Sequence, residues 1–213
     1  MGGLGNTRFI LKEGGSMGDI YSLMDLKKDA NGAIYIDETN SVSMQSLESD
    51  SYIKLGSVLP KANLAWRNDF SWKNFNVAFL ISARLGGVVF SRTQAVLDNY
   101  GVSEVSAVAR DQGYVLVNGK DRVNPESWYS VVAGGSAIPQ YYTYSATNVR
   151  LQEASIGYTI PKKWLNNICD IKVSLIGRNL WMIYNKAPFD PECVASTDNF
   201  YQGIDYFMTP SLR

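Results

Sequence analysis

Two carboxylates in a loop-like stretch are the residues that first suggest chemistry. Asp190 and Glu192 lie two positions apart in "FDPE". A glycosidase needs two carboxyl groups about 5 to 9 Å apart across a sugar ring, and calcium prefers carboxylate oxygens. Neighbouring acids in a loop have no set separation and are usually solvated. The pair therefore indicates neither a glycosidase nor a calcium site by itself.

The chain of 213 residues contains no histidine. This removes the commonest general base and the commonest metal ligand. It excludes Ser-His-Asp and Cys-His catalysis and argues against a zinc site. Cys169 and Cys193 lack the spacing of a zinc motif, so they are interpreted either as one disulfide or as two separate thiols. The sequence therefore predicts a protein that is not an enzyme, with no catalytic residue, no cofactor and no metal ion.

Amphipathic aromatic residues are abundant, with 13 Tyr and 5 Trp. Such rings favour boundaries between dry and wet surroundings, as in a membrane belt or a binding groove. One cluster, in or beside the longest connection, comprises Trp128, Tyr129, Tyr141, Tyr142 and Tyr144. In a functional role, these rings would stack on sugars or contact a partner protein. In a structural role, they would pack the connection onto its neighbours or belong to an interface belt. The structural role is the favoured interpretation. The 20 basic and 20 acidic residues cancel, which argues against nucleic acid as a partner.

Five segments alternate between apolar and polar residues with the period of a β-strand. They are residues 4–12, 62–72, 74–86, 148–160 and 171–183, of which the first is weak. In the clearest segment, 74–86, the odd-numbered positions from Phe75 to Leu85 are apolar, and Asn76 and Arg84 face the other way. The pattern in 148–160 changes face near Glu153, which predicts a β-bulge there.

The connections between these segments alternate between short and long. Short ones lie at Trp72–Lys73 and around Pro161, whereas 13–61, 87–147 and 184–210 are long and rich in Gly, Ser, Asn, Asp and Tyr. This alternation is typical of an outer-membrane β-barrel, which has short periplasmic turns and long extracellular loops. No apolar run approaches the roughly 18 residues of a spanning helix, so any contact with a membrane is expected through strands. Within 87–147, Asn118-Gly119 in "LVNGKD" suits a type I′ hairpin turn.

A sixth strand is expected after Pro210, and only "SLR" of it is present. An open sheet leaves two unpaired edges, which are unfavourable in lipid and promote aggregation in water. The sequence therefore predicts that the chain is part of a larger barrel and does not close one alone. In that barrel, inward-facing charges are expected to line the lumen. They are Arg67, Arg84, Lys172 and Arg178.

Six stretches resemble, in order, the C-terminal region of the SusC/RagA-type TonB-linked outer-membrane proteins of Bacteroidota. They are "GGSMGDIY", "LGSVLPKANLAWRNDFSWKNFNVAFLISARLGG", "LDNYGVS", "NVRLQEASIGYTIP", "IGRNLWMIYNKAPFDPE" and "QGIDYFMTPSLR". Together they extend over nearly the whole chain.

The resemblance implies an all-β fold that is part of a transmembrane antiparallel barrel of about 22 strands with an N-terminal plug. Residues 1–213 would be the C-terminal portion, about the last five of those strands with the final one missing. It also implies TonB-driven import of oligosaccharides or peptides across the outer membrane, under a lid formed by a SusD-like surface lipoprotein. The family's signal peptide, plug and TonB box are absent from this sequence. The expected partners are therefore lipid, solute and lipoprotein, with TonB contacted outside this segment and the substrate-binding residues unassigned.

A soluble extracellular β-sandwich that binds glycans or adheres to a partner is the alternative from another class. An upstream reading frame that encodes a plug and TonB box, with a downstream strand ending in an aromatic residue, would favour the transporter. A signal peptide directly before Met1 and a stop codon directly after Arg213 would favour the sandwich. The sequence does not identify the imported nutrient.

Overall fold

The computed structural model describes residues 6–135, 137–164, 169–193 and 210–212. The chain divides into two compact units. Unit 1 comprises Met1–Leu59, Gly87–Tyr144 and Glu192–Asp205, and unit 2 comprises Pro60–Gly86, Ser145–Pro191 and Tyr206–Arg213. Among the described residues, no helix has both the length and the apolar character needed to cross a membrane.

Strands account for most of the regular structure. In chain order they are β1 (Thr7–Phe9), β2 (Asp19–Ser22), β3 (Met24–Leu26), β4 (Met44–Ser46), β5 (Ile53–Ser57), β6 (Ala62–Trp72), β7 (Phe75–Leu85), β8 (Val88–Phe90), β9 (Val115–Val117), β10 (Asp121–Val123), β11 (Thr143–Ser145), β12 (Asn148–Ile160), β13 (Ile171–Asn185) and β14 (Ser211–Leu212). The α-helices are α1 (Arg92–Asn99), α2 (Glu104–Gln112) and α3 (Pro125–Val132), and short 3-10 turns lie at Pro139–Tyr141 and Lys162–Trp164.

Unit 2 is an antiparallel sheet with the strand order β14-β13-β12-β7-β6. Four strands are long, and their bounds match the predicted segments 62–72, 74–86, 148–160 and 171–183 to within two residues at either end. The short connection after Trp72 is also confirmed, because Trp72 pairs with Phe75 across a turn in which Lys73 has a φ of 53°. The period-two pattern located these strands because it extends over ten or more residues in each.

The bulge predicted near Glu153 is confirmed. The register of β12 shifts between Leu151 and Glu153 against both of its neighbours, β7 and β13. On β13, Arg178 pairs with Glu153 and Trp181 pairs with Leu151, so the two residues between them have no partner in this ladder. Asn179, one of those two, has a φ of 51°, a left-handed conformation that Asn tolerates. The irregularity therefore involves both strands.

The first predicted segment, 4–12, is not a strand of this sheet. Its described part forms only the three-residue β1, which pairs with β2 in a small sheet of unit 1. Its alternation is too short to span a large sheet, which is the reason the prediction was wrong. By contrast, Ser211 and Leu212 pair with Arg178 and Gly177, so the start of a strand directly after Pro210 is confirmed. The described strands do not close a barrel, and the total of about 22 strands stays a prediction.

Unit 1 contains the three helices, which lie in the long connection 87–147 and were not predicted. Each begins at a polar N-cap: Ser91 accepts from the backbone N–H of Gln94 at 3.0 Å, and Ser103 accepts from that of Ser106 at 3.1 Å. Asn124 caps α3 by accepting from the N–H of Glu126 at 2.9 Å. Helices of 8 or 9 residues span little more than two turns, so their periodicity is weak in the sequence.

The core of unit 1 brings together residues from distant parts of the chain. It includes Leu26, Val123, Val132, Ile138 and Tyr142, all of which are buried. The predicted hairpin turn at Asn118-Gly119 is confirmed as well. Both residues have positive φ, 52° and 76°, and the N–H of Lys120 donates to the carbonyl of Val117 at 3.1 Å.

Candidate membrane-facing surface

One face of the unit 2 sheet is built almost entirely from apolar side chains. Because side chains alternate along a strand, the register decides which residues share a face. Trp66 pairs with Ile81, Phe70 with Val77, and Trp72 with Phe75. The same rows continue onto β12 and β13, where Val77 pairs with Ile156 and Ile156 with Leu175. We call this surface the apolar face.

The apolar face is exposed. Trp72 is 68% exposed, Trp66 60%, Val173 60%, Phe70 59% and Leu175 55%. Soluble monomers rarely expose contiguous apolar patches of more than a few hundred Å². A surface of large apolar side chains on four adjacent strands therefore requires an apolar environment, and the hydrocarbon of a bilayer is one.

Two rows rich in aromatic residues cross the apolar face, with Phe70 and Phe79 between them. Near the β6–β7 turn lie Trp72, Phe75 and Tyr158, and the rings of Phe75 and Tyr158 are 4.8 Å apart between centroids. Trp66 and Trp181 belong to a second row further along the strands. The six residue-to-residue steps from Trp66 to Trp72 span about 20 Å at roughly 3.3 Å per residue. This approaches the height of the apolar band of about 25 Å that aromatic girdles flank in outer-membrane barrels.

A single polar side chain, Asn68, interrupts the described rows between these aromatic residues. It pairs with Phe79 across the sheet, and its amide nitrogen is buried without a hydrogen-bond partner among the described residues. Asn68 belongs to β6, an edge strand that has β7 as its neighbour on one side only. In lipid, the N–H and C=O groups of such an edge must be satisfied by another strand.

The opposite face of the sheet is polar. One cross-strand row contains Arg67, Leu80, Glu153 and Arg178. The Nε of Arg67 lies 2.9 Å from an oxygen of Asp69, and the Nε of Arg178 lies 3.0 Å from Oε2 of Glu153. The four side chains predicted to face a lumen all lie on this face by register. They are Arg67, Arg84, Lys172 and Arg178.

The carboxylate of Asp190 is not a solvated loop acid, contrary to the expectation from "FDPE". Its side chain is 1% exposed and its Oδ1 lies 2.6 Å from a terminal nitrogen of Arg150, whose side chain is 4% exposed. The amide of Asn185 donates to the carbonyl of Phe189 at 2.6 Å, which holds the same loop. Asp190 therefore binds the loop to β12. Sequence reasoning missed Arg150, because nothing in the local pattern links it to a residue 40 positions away.

The aromatic cluster of residues 128–144 packs within unit 1. The rings of Trp128 and Tyr141 meet edge to face, with centroids 5.7 Å apart. Tyr142 is buried and its hydroxyl donates to Asp98 at 2.9 Å. Burial and the nearby charge of Asp98 raise the pKa of Tyr142 well above its usual range, so this hydroxyl stays a donor. These contacts fit the packing interpretation, whereas Tyr129 also lines a cleft together with residues of α1 and α2.

The described residues contain no group of three or more His, Cys, Asp or Glu side chains arranged to hold a metal ion. Cys169 and Cys193 are both free thiols, and Cys169 is exposed.

The known proteins that this chain resembles match most of its length. No protein-family model matches it. It is 23% identical over 209 residues to TonB-dependent receptor P3 of Formosa agariphila, an alignment that covers 94% of this chain and 20% of that protein. It is similar to the RagAB peptide importer in its open-open state, with a TM-score of 0.51, 15% identity, and coverage of 84% of this chain and 21% of the other. For the RagAB peptide transporter the TM-score is 0.50, with the same identity and coverage.

The chain spans about one fifth of the length of the proteins that it matches. At 15% identity the structural similarity establishes the fold alone. The fold of this chain is therefore shared with part of the solved RagAB peptide importer.

Proposed function

We propose that this chain, which is a SusC-like segment of a TonB-dependent receptor, forms part of the wall of a transmembrane barrel that imports a nutrient across the outer membrane. One observation carries the proposal above all. The sheet of unit 2 has an exposed apolar face between aromatic rows, and its other face carries Arg67, Glu153 and Arg178. Lipid on one side and an aqueous lumen on the other satisfy both faces.

The nutrient is either an oligosaccharide or a peptide. The structural relative RagAB imports peptides. Neither face of the described sheet carries a cluster of charged or aromatic residues that would distinguish an oligosaccharide from a peptide. Energy comes from TonB through regions outside this segment, and a SusD-like surface lipoprotein closes the extracellular mouth. The outer membrane is that of a member of the Bacteroidota.

The exposed apolar face argues against the soluble β-sandwich. In a sandwich, two sheets pack their apolar faces together, about 10 Å apart. Trp66, Phe70 and Trp72 would then be buried, whereas each is at least 59% exposed. A transporter wall accounts for their exposure, and a sandwich does not.

The test is to express residues 1–213 alone and together with flanking strands. In detergent, the chain alone is expected to lack heat-modifiable migration on gels and the protease resistance of a closed barrel. The same segment with its neighbouring strands is expected to show both, together with a β-type far-UV circular dichroism spectrum. A water-soluble monomer of residues 1–213 that unfolds cooperatively would show that the barrel proposal is wrong.

A further inference from the structure

A cleft of about 550 Å³ lies among the three helices of unit 1. Its volume is within the range of about 300 to 1,000 Å³ that small-molecule sites occupy. Its lining includes Tyr100 directly after α1, Arg110 of α2, the N-cap Asn124, and Glu126 and Tyr129 of α3. None of them belongs to the sheet of unit 2.

Tyr129 is the most buried tyrosine that lines the cleft. Its side chain is 8% exposed, and its hydroxyl has no hydrogen-bond partner among the described residues. Because this hydroxyl is not one of the fully buried polar atoms that lack a partner among the described residues, it is accessible from the cleft. Burial, with a contribution from the charge of Asp98, raises the pKa of Tyr129, so the hydroxyl remains protonated at neutral pH. It can therefore both donate to and accept from a ligand in the cleft.

Further hydrogen-bonding groups around the cleft are available. Arg110 uses one guanidinium nitrogen to donate to the carbonyl of Gly101 at 3.0 Å and makes no other bond among the described residues. Asn124 caps α3 through its oxygen, which leaves its amide N–H groups free of described partners. The exposed carboxylate of Glu126 likewise has none. The cleft thus presents donors and acceptors together.

Tyr100 adds an apolar surface to the same cleft. It is 75% exposed, although a tyrosine ring of this size gains free energy when it is covered. A ring that lines a cleft and remains open can cover the C–H face of a ligand. By contrast, Asp98 is already occupied, since its two oxygens accept from Gln94 at 2.8 Å and from Tyr142 at 2.9 Å.

We propose that this cleft binds a neutral oligosaccharide, in which one sugar ring lies against Tyr100 and its hydroxyls reach Tyr129, Arg110 and Glu126. Each sugar hydroxyl both donates and accepts, which matches a cleft that offers both. Glu126 and Asp98 would repel an anionic ligand, and Arg110 would repel a cationic one. The inference rests on the proposed function, because capture of a sugar by this unit is useful to a protein that imports it. It also names the oligosaccharide as the solute class.

The experiment measures binding by calorimetry with the intact receptor that contains this chain, purified in detergent. The probes are maltohexaose, cellohexaose, laminarihexaose and an uncharged hexapeptide of Ser and Ala. Tyr129→Phe removes only the hydroxyl, and Arg110→Gln removes the charge. Each is expected to weaken binding of at least one hexasaccharide roughly three- to tenfold, the loss of one hydrogen bond. Tyr100→Ala is expected to weaken it by a similar factor through loss of ring contact.

Arg122→Gln is the matched control, because Arg122 is an exposed arginine of unit 1 that does not line the cleft and stacks on Tyr114 instead. It is expected to leave affinity unchanged. Equal affinities for receptor, cleft variants and control would overturn the cleft as the site. Absence of hexasaccharide binding, or peptide binding that the cleft variants weaken, would overturn the oligosaccharide assignment.

Import assays with the same receptor separate this inference from the proposed function. If nutrient uptake continues in the cleft variants and no hexasaccharide binds, the inference is wrong and the importer stands. If no solute is taken up by the unaltered receptor while the cleft variants weaken sugar binding, the cleft stands and the importer is wrong.

Discussion

At the scale of single residues, the Arg150–Asp190 pair is the most deeply buried charge interaction described in the protein. Both side chains are at most 4% exposed, so neither charge is solvated by bulk water. In the surface pair Arg67–Asp69, by contrast, both side chains are nearly 60% exposed. The burial of an ion pair, rather than the distance between its ions, should therefore determine how much a substitution lowers the free energy of unfolding.

Asp190→Asn is expected to destabilise the receptor by about 3 to 5 kcal/mol, because it removes the carboxylate charge from a buried ion pair. Urea unfolding in detergent, followed by loss of the heat-modifiable band, measures this. Asp69→Asn is the control and is expected to cost less than about 1 kcal/mol. Similar losses for the two variants would contradict the role assigned to burial.

A second residue-scale prediction concerns Asp19 in unit 1. Its carboxylate accepts from Lys54 and from the backbone N–H of Ser16, and these bonds lower the pKa of Asp19 below its ordinary value of 3.8. The folded state therefore binds the proton more weakly than the unfolded state. The resulting stabilisation is complete above the ordinary pKa and is lost as the pH falls through the folded value.

Asp19→Asn should accordingly destabilise unit 1 more at pH 6 than at pH 3, which lies below the ordinary pKa of aspartate. Amide hydrogen exchange of β2 and β5 at the two pH values is the measurement, since these strands carry Asp19 and Lys54. Asp111→Asn, an exposed change on α2, is the control and should show no such difference. The same loss of protection at both pH values would rule out the ion pair as its source.

At the scale of elements, the four long strands place neighbouring residues on opposite faces. Leu175 pairs with Ile156 on the apolar face, while the preceding Ser174 pairs with Gly157 on the polar face. Two adjacent positions thus face different solvents if the sheet is a barrel wall. In unit 1, local chemistry determines where each helix begins, because a polar side chain caps the N-terminus of each.

Leu175→Arg is expected to reduce stability in the membrane by about 2 kcal/mol, because arginine is unfavourable in the apolar band of a barrel. Ser174→Arg, one residue away on the polar face, should cost much less. The fraction of receptor that reaches the heat-modifiable form in outer-membrane preparations compares the two. An equal effect, or a larger one at Ser174, would mean that the apolar face does not contact lipid.

At the scale of the whole molecule, the two units have different surfaces. Unit 2 exposes Trp66, Trp72 and Trp181, each at least 60% exposed. In unit 1, Trp128 is partly buried against the core. Only the unit 2 tryptophans are therefore expected to contact lipid tails.

Fluorescence of the receptor in vesicles with brominated lipid tests this distribution. Trp72→Phe is expected to remove a component that brominated tails quench, since Trp72 lies on the apolar face. Trp128→Phe is the matched change and should remove an unquenched component. Quenching that falls equally in both variants would show that lipid does not distinguish the two units.

The period-two pattern in the sequence was enough to determine the four long strands and the bulge at Glu153, and the lengths of the connections predicted the turn at Lys73 and the strand that follows Pro210. These features are local, since alternation and turn chemistry act over a few neighbouring residues. The same reasoning predicted the faces of Arg67, Arg84, Lys172 and Arg178. It failed for 4–12, where the described strand is only three residues long.

Only the tertiary structure decided the features that join distant parts of the chain. The Arg150–Asp190 pair spans 40 positions, and the bond from Tyr142 to Asp98 spans 44. The cleft among α1, α2 and α3 likewise depends on three short helices whose sequences carry little periodicity. Alternation states which side of a strand a residue occupies, but burial and partnership depend on which other segments fold against it.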